Sequence, residues 1–318
     1  MKRNSLIADA CAGALMLLLM GCKLQPGASR HGEGDPTKVY RLRLNPAVGS
    51  SYAYTIANTS EFQMEVNDKK VDNKSKSTVD LSYKVGRDSS SDLVLDIVYD
   101  HIHVYSKNGD TETDLDADKK ETTDPVEKLL GSLKGVTIRA AVSPRGEMRP
   151  VKGYDEIKRR VMAGFAPGDT YSRTIAEQQW DQRIKQGLLE KNMEQLFRLF
   201  PDSAVHVGDT WHMNTVQQEE ISLDIGSTYT LQDIKDGVAI VRSLGTIRSN
   251  NSTGNLNGYS FTVDLTGEQD GSFEIETSTG MVLHSSIEST IRGEMEMLGK
   301  KVPMKIHSTV NMLGRRTK

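Results

Sequence analysis

Cysteine is nearly absent, with only Cys11 and Cys22 among 318 residues. Two thiols cannot build a disulfide framework or a thiolate zinc cluster. Aromatic residues are also scarce. Two tryptophans, ten tyrosines and six phenylalanines offer no obvious stacking platform for bases. Neither sign of charge dominates: 40 basic side chains meet 43 acidic ones, for a formal net charge of -3. With a pI near 6.2 the chain carries no basic footprint for nucleic acid. Gly-x-Ser-x-Gly, His-Glu-x-x-His, Walker and Gly-x-Gly-x-x-Gly patterns are all missing from the sequence.

What is present begins with an address. Lys2 and Arg3 precede an apolar run from Ala10 to Met20, and Leu19-Met20-Gly21-Cys22 follows. This is the layout of a secretory signal peptide. The run is shorter than the roughly 20 residues that span a bilayer. A cysteine directly after a small residue at this point resembles the bacterial lipobox. The resemblance implies cleavage between Gly21 and Cys22, and a diacylglycerol on the Cys22 thiol with further acylation, such as palmitate. An ordinary secretory signal with a chance thiol at Cys22 is the alternative. A mature chain with no other cysteine suits an oxidising compartment. Residues 1–21 are thus read as signal peptide. Residues 22–38, rich in Gly, Pro, Ser and charge, are read as a flexible tether. Lys23 stands where an aspartate retains related lipoproteins in the inner membrane. By that analogy the anchor is in the outer membrane, on the periplasmic side or at the cell surface.

From Val39 the pattern has period two, the signature of strands with one buried face. Tyr52, Tyr54 and Ile56 form one run, Phe62, Met64 and Val66 the next, then Val79, Leu81, Tyr83 and Val85. Leu93 to Val104 continues, and Asn108-Gly109 predicts a type I′ hairpin. The C-terminal part repeats this style, through a Lys235-Asp236-Gly237 turn, Phe261, Val263 and Leu265, Phe273 and Ile275, a Ser278-Thr279-Gly280 turn, and finally Met304, Ile306 and Val310. The expected fold is mainly β, with curved antiparallel sheets in two pseudo-repeated halves, 39–153 and 202–318. Val48-Gly49-Ser50-Ser51-Tyr52 lines up with Val207-Gly208-Asp209-Thr210-Trp211, and the Gly146 turn with the Gly280 turn.

A helical connector, 154–201, separates the halves. Asp124-Pro125 starts an earlier short helix, and Tyr154 to Met162 forms another. The long candidate runs from Ala176 to Phe200, with Trp180, Ile184, Leu188, Met193 and Phe197 on one apolar stripe. That stripe either seals a core or faces a ligand.

Signs of chemistry are few. His101 and His103 share one face of a strand and are the candidate metal ligands, although no third ligand is evident and a solvated strand face explains them as well. Asp114, Asp116 and Asp118 imitate the start of a calcium loop. Lys119 and Pro125 then occupy the positions where that loop needs Gly and Glu. Thirteen methionines, with Met281, Met295, Met297, Met304 and Met312 crowding the last strands, suit either a core or an adaptable apolar surface. No cofactor and no catalytic residue is indicated.

Leu199-Phe200-Pro201 followed by Val207-Gly208-Asp209-Thr210-Trp211, together with the lipobox and tether, resembles a domain-of-unknown-function family of envelope lipoproteins of Bacteroidota type. The family's long antiparallel sheets are similar to the half-barrels of lipid and lipoprotein carriers. The resemblance implies a non-enzymatic binding or assembly module, held to the membrane by its lipid anchor and meeting an apolar ligand or an envelope protein. A scaffold docking an envelope complex is the alternative, and a hydrolase with dispersed carboxylates or histidines the second.

Overall fold

The computed structural model describes residues 35, 37–66, 69–87, 92–181, 197–218, 221–249, 252–256 and 259–318. Cys22, Gly21 and nearly all of the tether fall outside them. Twelve strands follow the chain: β1 (Ser51–Val66), β2 (Lys69–Arg87), β3 (Leu93–Asn108), β4 (Thr111–Asp116), β5 (Thr137–Val142), β6 (Thr210–Gln218), β7 (Ser222–Lys235), β8 (Val238–Ser249), β9 (Ser252–Leu256), β10 (Tyr259–Glu276), β11 (Val282–Met297) and β12 (Lys300–Arg316). Among the described residues three helices, α1 (Pro125–Leu133), α2 (Tyr154–Met162) and α3 (Thr170–Gln179), lie between β4 and β6.

All pairings are antiparallel, in one curved open sheet ordered β4-β3-β2-β1-β12-β11-β10-β8-β7-β6. β5 continues the β3 edge beside β4, and β9 continues the β10 edge beside β8. The two halves therefore meet edge to edge where β1 pairs with β12, and the main core draws residues from both.

Local chemistry explains the element boundaries. Asp124 caps α1 by accepting from the Val126 and Glu127 amides, with Pro125 in the first turn. The helix from Tyr154 to Met162 has the extent its sequence suggests. The helix expected from Ala176 to Phe200 instead begins at Thr170, because Asp169 caps it through the Ser172 amide, and α3 ends at Gln179; 182–196 lie outside the described residues, and Arg198 to Phe200 are not helical. Asn108 stays in the ladder opposite Thr111, so Gly109 and Asp110 are the central residues of the β3–β4 turn. Only Gly109 of these two has positive φ (58°), which corrects the expected type I′ turn, since that type needs positive φ at both. Asp236 and Gly237 satisfy that requirement between β7 and β8 (φ 49° and 78°). So do Leu298 and Gly299 between β11 and β12 (φ 54° and 72°), where a leucine gave no turn signal.

α1 packs on β3 and β4, the three helices pack on one another, and with residues 197–205 they contribute to the core at one end of the sheet's inner face. Two aromatic groups fill this end. Tyr83 stacks between Tyr52 and Tyr54 (centroids 5.7 and 5.5 Å), with Phe197 edge-on at 6.2 Å. Trp211 stacks on Tyr229 at 5.6 Å, and Tyr229 meets Phe273 at 6.0 Å. The Trp211 indole donates to the Leu199 carbonyl at 3.0 Å, tying the Phe-Pro segment to β6. Burial raises the Tyr83 phenol well above its ordinary range.

Backbone segments cross at two glycines. A Cβ on Gly146 (φ 86°) would lie 1.9 Å from the Phe197 carbonyl oxygen, and one on Gly280 (φ 70°) 2.1 Å from that of Arg43. Gly280→Ala therefore adds a left-handed strain to a backbone collision. It should cost about 2–3 kcal/mol of stability, read as a fall in the urea midpoint; an unchanged midpoint would refute the crossing.

Candidate functional site

Antiparallel pairing places alternate side chains on opposite faces, so each strand sorts its residues by parity. β12 sends Val302, Met304, Ile306, Ser308, Val310 and Met312 inward, all buried, while Lys301, Pro303 and Lys305 stand exposed outside. β10 likewise turns Thr262, Asp264, Thr266, Glu268 and Asp270 outward. Ion pairs decorate this outer face, including Lys74–Glu61 at 2.6 Å, Arg242–Asp270 at 2.8 Å and Lys301–Glu294 at 2.8 Å.

The inner face is banded. At the helical end lies the main core. At the opposite end a second cluster contains Phe62, Met64, Leu223, Ile247, Phe261, Val263, Leu265, Ile291, Met295, Met297, Val302, Met304 and Ile306. Every buried member of this second cluster is a strand residue. Four of them are methionines, whose unbranched thioethers re-pack readily. Met281 and Met312 instead belong to the main core.

Between the clusters runs a row in which six of nine residues are serine. Register joins Ser106 to Ser75, Ser75 to Ser60, Ser60 to Ser308, Ser308 to Ser289, and Ser289 to Gln269. It continues through Gly245 and Ser227 to Met213. The row thus crosses nine strands. The flanking inner rows are mixed: toward the main core Ser77, Asn58, Gly271 and Ser243 stand among Val104, Val310, Ile287, Tyr229 and Trp211, and toward the second cluster Asn73, Asn108, Gly267 and Thr215 stand among Phe62, Ile306, Ile291, Ile247 and Ile225. No position of these three rows is charged.

This band contradicts the rule that inner positions are apolar, and it costs stability. Ser308 is fully buried and its hydroxyl has no hydrogen-bond partner, and the Asn58 carbonyl oxygen is also buried without one. A buried polar group left unpaired costs about 1–3 kcal/mol. Such local violations concentrate at functional sites. Removing the hydroxyl should accordingly help: Ser308→Ala is expected to stabilise the chain by about 1 kcal/mol, read in a urea titration, whereas a loss of that size would mean that the hydroxyl is paired.

The residues singled out from sequence fall into three groups. Trp180 and Phe197 are buried in the main core (1% and 3% exposed), between the helices and the sheet. Ile184, Leu188 and Met193 lie outside the described residues. His101 and His103 point outward, away from the band, and β4 brings carboxylates to them. His101 Nδ1 is 2.8 Å from Asp118 Oδ2 and 3.8 Å from Asp116 Oδ1; His103 Nε2 is 2.6 Å from Asp114 Oδ1. His101, Asp116 and Asp118 could together offer three ligand atoms to a cation. The other Asp118 oxygen accepts from the Lys134 ammonium, and Asp116 Oδ1 from the Asp118 amide, so the protein's own donors occupy these oxygens. Hydrogen bonds from Lys134 and then His101 hold the Asp118 carboxyl below the ordinary aspartate range. A carboxyl depressed in this way stabilises the fold at neutral pH and loses that contribution as pH falls through its folded-state value. NMR titration should find Asp118 below free aspartate, and Lys134→Met should move its midpoint up.

The recognition motif itself is structural. The Gly208 amide donates to the Leu231 carbonyl (2.7 Å), and Asp209 accepts from the His206 amide (2.8 Å), so the turn presents Trp211 to the core. The polar band, by contrast, had no signal in any single segment. It consists of the gaps between apolar runs: Asn58 and Ser60 between Ile56 and Phe62, Gly267 to Gly271 between Leu265 and Phe273, and Ser308 between Ile306 and Val310.

Among solved structures the chain is similar to lipovitellin, in a structure titled for its lipid–protein interactions, with 11% identity and a TM-score of 0.44. That match covers 85% of this chain and 25% of the other, so the chain spans about a quarter of the lipovitellin chain. It is also similar to an outer-membrane channel of Pseudomonas putida F1, with 9% identity, a TM-score of 0.32, and coverage of 92% of this chain and 100% of that one. No curated protein matches the chain. The model of a family of unknown function, DUF6263, matches residues 90–282, from the edge of β3 to the start of β11. Because that match takes in more than half of the sequence, including the Phe-Pro segment, the Val-Gly-Asp-Thr-Trp entry and the helices between the halves, the chain belongs to the DUF6263 family.

Proposed function

We propose that the protein is a non-enzymatic envelope lipoprotein that binds an apolar ligand on the inner face of its sheet. The uncharged band beside the methionine-bearing second cluster carries this reading. In the proposal Cys22 is the acylated residue and residues 22–38 are the tether. Met64, Met295, Met297 and Met304 form an interior that yields to a chain-like guest. Charged residues face outward, the reverse of a membrane barrel, whose apolar band faces lipid. The ligand is therefore taken into the concave side.

The hydrolase reading draws less support. His101, Asp114, Asp116 and Asp118 do converge, but on the outward face and already paired with one another or with Lys134. Among the described residues the large exposed apolar side chains are Val39, Val48, Tyr171, Val216, Leu244, Leu298 and Leu313; on the outer face register sets Val216 opposite Asp224, Leu244 between Thr228 and Asp270, and Leu313 between Thr55 and His284, which gives the scaffold reading little support.

Native mass spectrometry of the full chain, extracted from membranes of an expressing bacterium, tests the proposal. The expected result is a lipid-sized mass that leaves on mild denaturation, together with palmitate incorporation that Cys22→Ala abolishes. A protein recovered only in ligand-free form, including after incubation with extracted envelope lipids, would contradict the binding role.

A further inference from the structure

The inner face also carries information about the ligand's polar group. Resting on the ligand-binding reading, we propose that it takes a neutral glycerol-ester lipid, with the acyl chain along the second cluster and the uncharged head group on the serine band.

Three observations lead there. First, the band has hydrogen-bonding capacity but no charge. A carboxylate or phosphate placed on it would meet no cation in the band's three rows, because the described cations of inner parity stand at strand ends, Lys300 opposite Met297, Arg316 opposite Tyr52 and Arg87 opposite Leu93, and burying an unpaired ion is far costlier than burying an ester or alcohol. Second, the band's unsatisfied atoms, among the described residues, are of two kinds. The Ser308 hydroxyl can donate, and the Asn58 carbonyl oxygen can only accept. Ser308 pairs with Ser60 and Val310 with Asn58, so Ser308 and Asn58 are diagonal neighbours on one face, about 7–8 Å apart or less. An ester carbonyl accepting from Ser308 and a glycerol hydroxyl donating to Asn58 satisfies both at once. A plain hydrocarbon satisfies neither. Third, the apolar arm has the right reach. From Ser308 to Val302 is six residues of one strand, about 20 Å along its axis, which matches the length of an extended long acyl chain, and Met304 and Ile306 are the side chains that would have to move aside for it.

The test keeps the acyl chain constant and varies the head. Mono-oleoylglycerol, oleate and oleoyl lysophosphatidate are each titrated against the full-length protein in mild detergent, with bound lipid read by native mass spectrometry. Mono-oleoylglycerol is expected to bind at least about tenfold more tightly than either anion. Asn58→Leu and Ser308→Ala should each weaken it about five- to tenfold and leave oleate unchanged. Both variants keep side-chain volume close to the original, and unchanged circular dichroism and urea midpoints at or above the parent's verify their folding. Should one variant lose its fold, the comparison of the three lipids on the unaltered chain still decides. Oleate or lysophosphatidate binding as tightly as mono-oleoylglycerol would overturn the head-group assignment while leaving the binding site standing. If none of the three binds, both this assignment and the ligand-binding reading are overturned.

Discussion

Register across the sheet is the constraint on which everything else depends. Each strand of an antiparallel ladder assigns its side chains to one face or the other by parity alone, and a slip of one residue would reverse every assignment. Here β1 meets β12 over thirteen paired positions, from Tyr52–Arg316 to Met64–Met304, and this single seam welds the two ends of the chain into one sheet. It aligns Phe62 with Ile306 and Met64 with Met304, and it aligns Ser60 with Ser308 as strictly. The apolar clusters and the polar band are thus products of one register. No mutation can displace the band as a whole without displacing the core on either side of it.

The two ends of the inner face are stabilised differently. At one end the helices, the Phe197–Phe200 segment and the tyrosine and tryptophan stacks close the core, with Gly146 and Gly280 permitting backbones to touch. That end behaves as a conventional interior, in which Trp180 and Phe197 are structural. At the other end the buried members all come from strands, and methionine replaces the aromatic stacks. A folded chain that only needed a core would have extended the first solution along the whole sheet. Between the two clusters the fold tolerates a buried Ser308 hydroxyl and a buried Asn58 carbonyl oxygen without hydrogen-bond partners.

The fold was largely legible in the sequence, because strand alternation, Asp124-Pro125, Tyr154 to Met162 and the Asp236-Gly237 and Gly280 turns are local signals. What escaped was non-local. β10 is one strand of 18 residues, yet Gly267, Gln269 and Gly271 interrupt its apolar parity and make it read as two short runs. β11 and β12 turn at Leu298-Gly299, a pair without turn chemistry at its first position. The candidate site escaped for the same reason. Serine in one strand is noise, and only pairing nine strands turns it into a row. The histidines illustrate the converse: sequence placed His101 and His103 on one face, but only the β3–β4 ladder and the turn that follows it could bring Asp114, Asp116 and Asp118 beside them.

Photo-crosslinking gives the most direct test of the central claim that the inner face is where a ligand sits. A lipid bearing a diazirine on its acyl chain would be supplied to cells expressing the full-length protein, irradiated, and its adducts mapped by peptide mass spectrometry. The account predicts adducts on inward residues of the second cluster, such as Phe62, Met304 and Ile306. Adducts confined to outward residues such as Leu244 and Leu313 would contradict it.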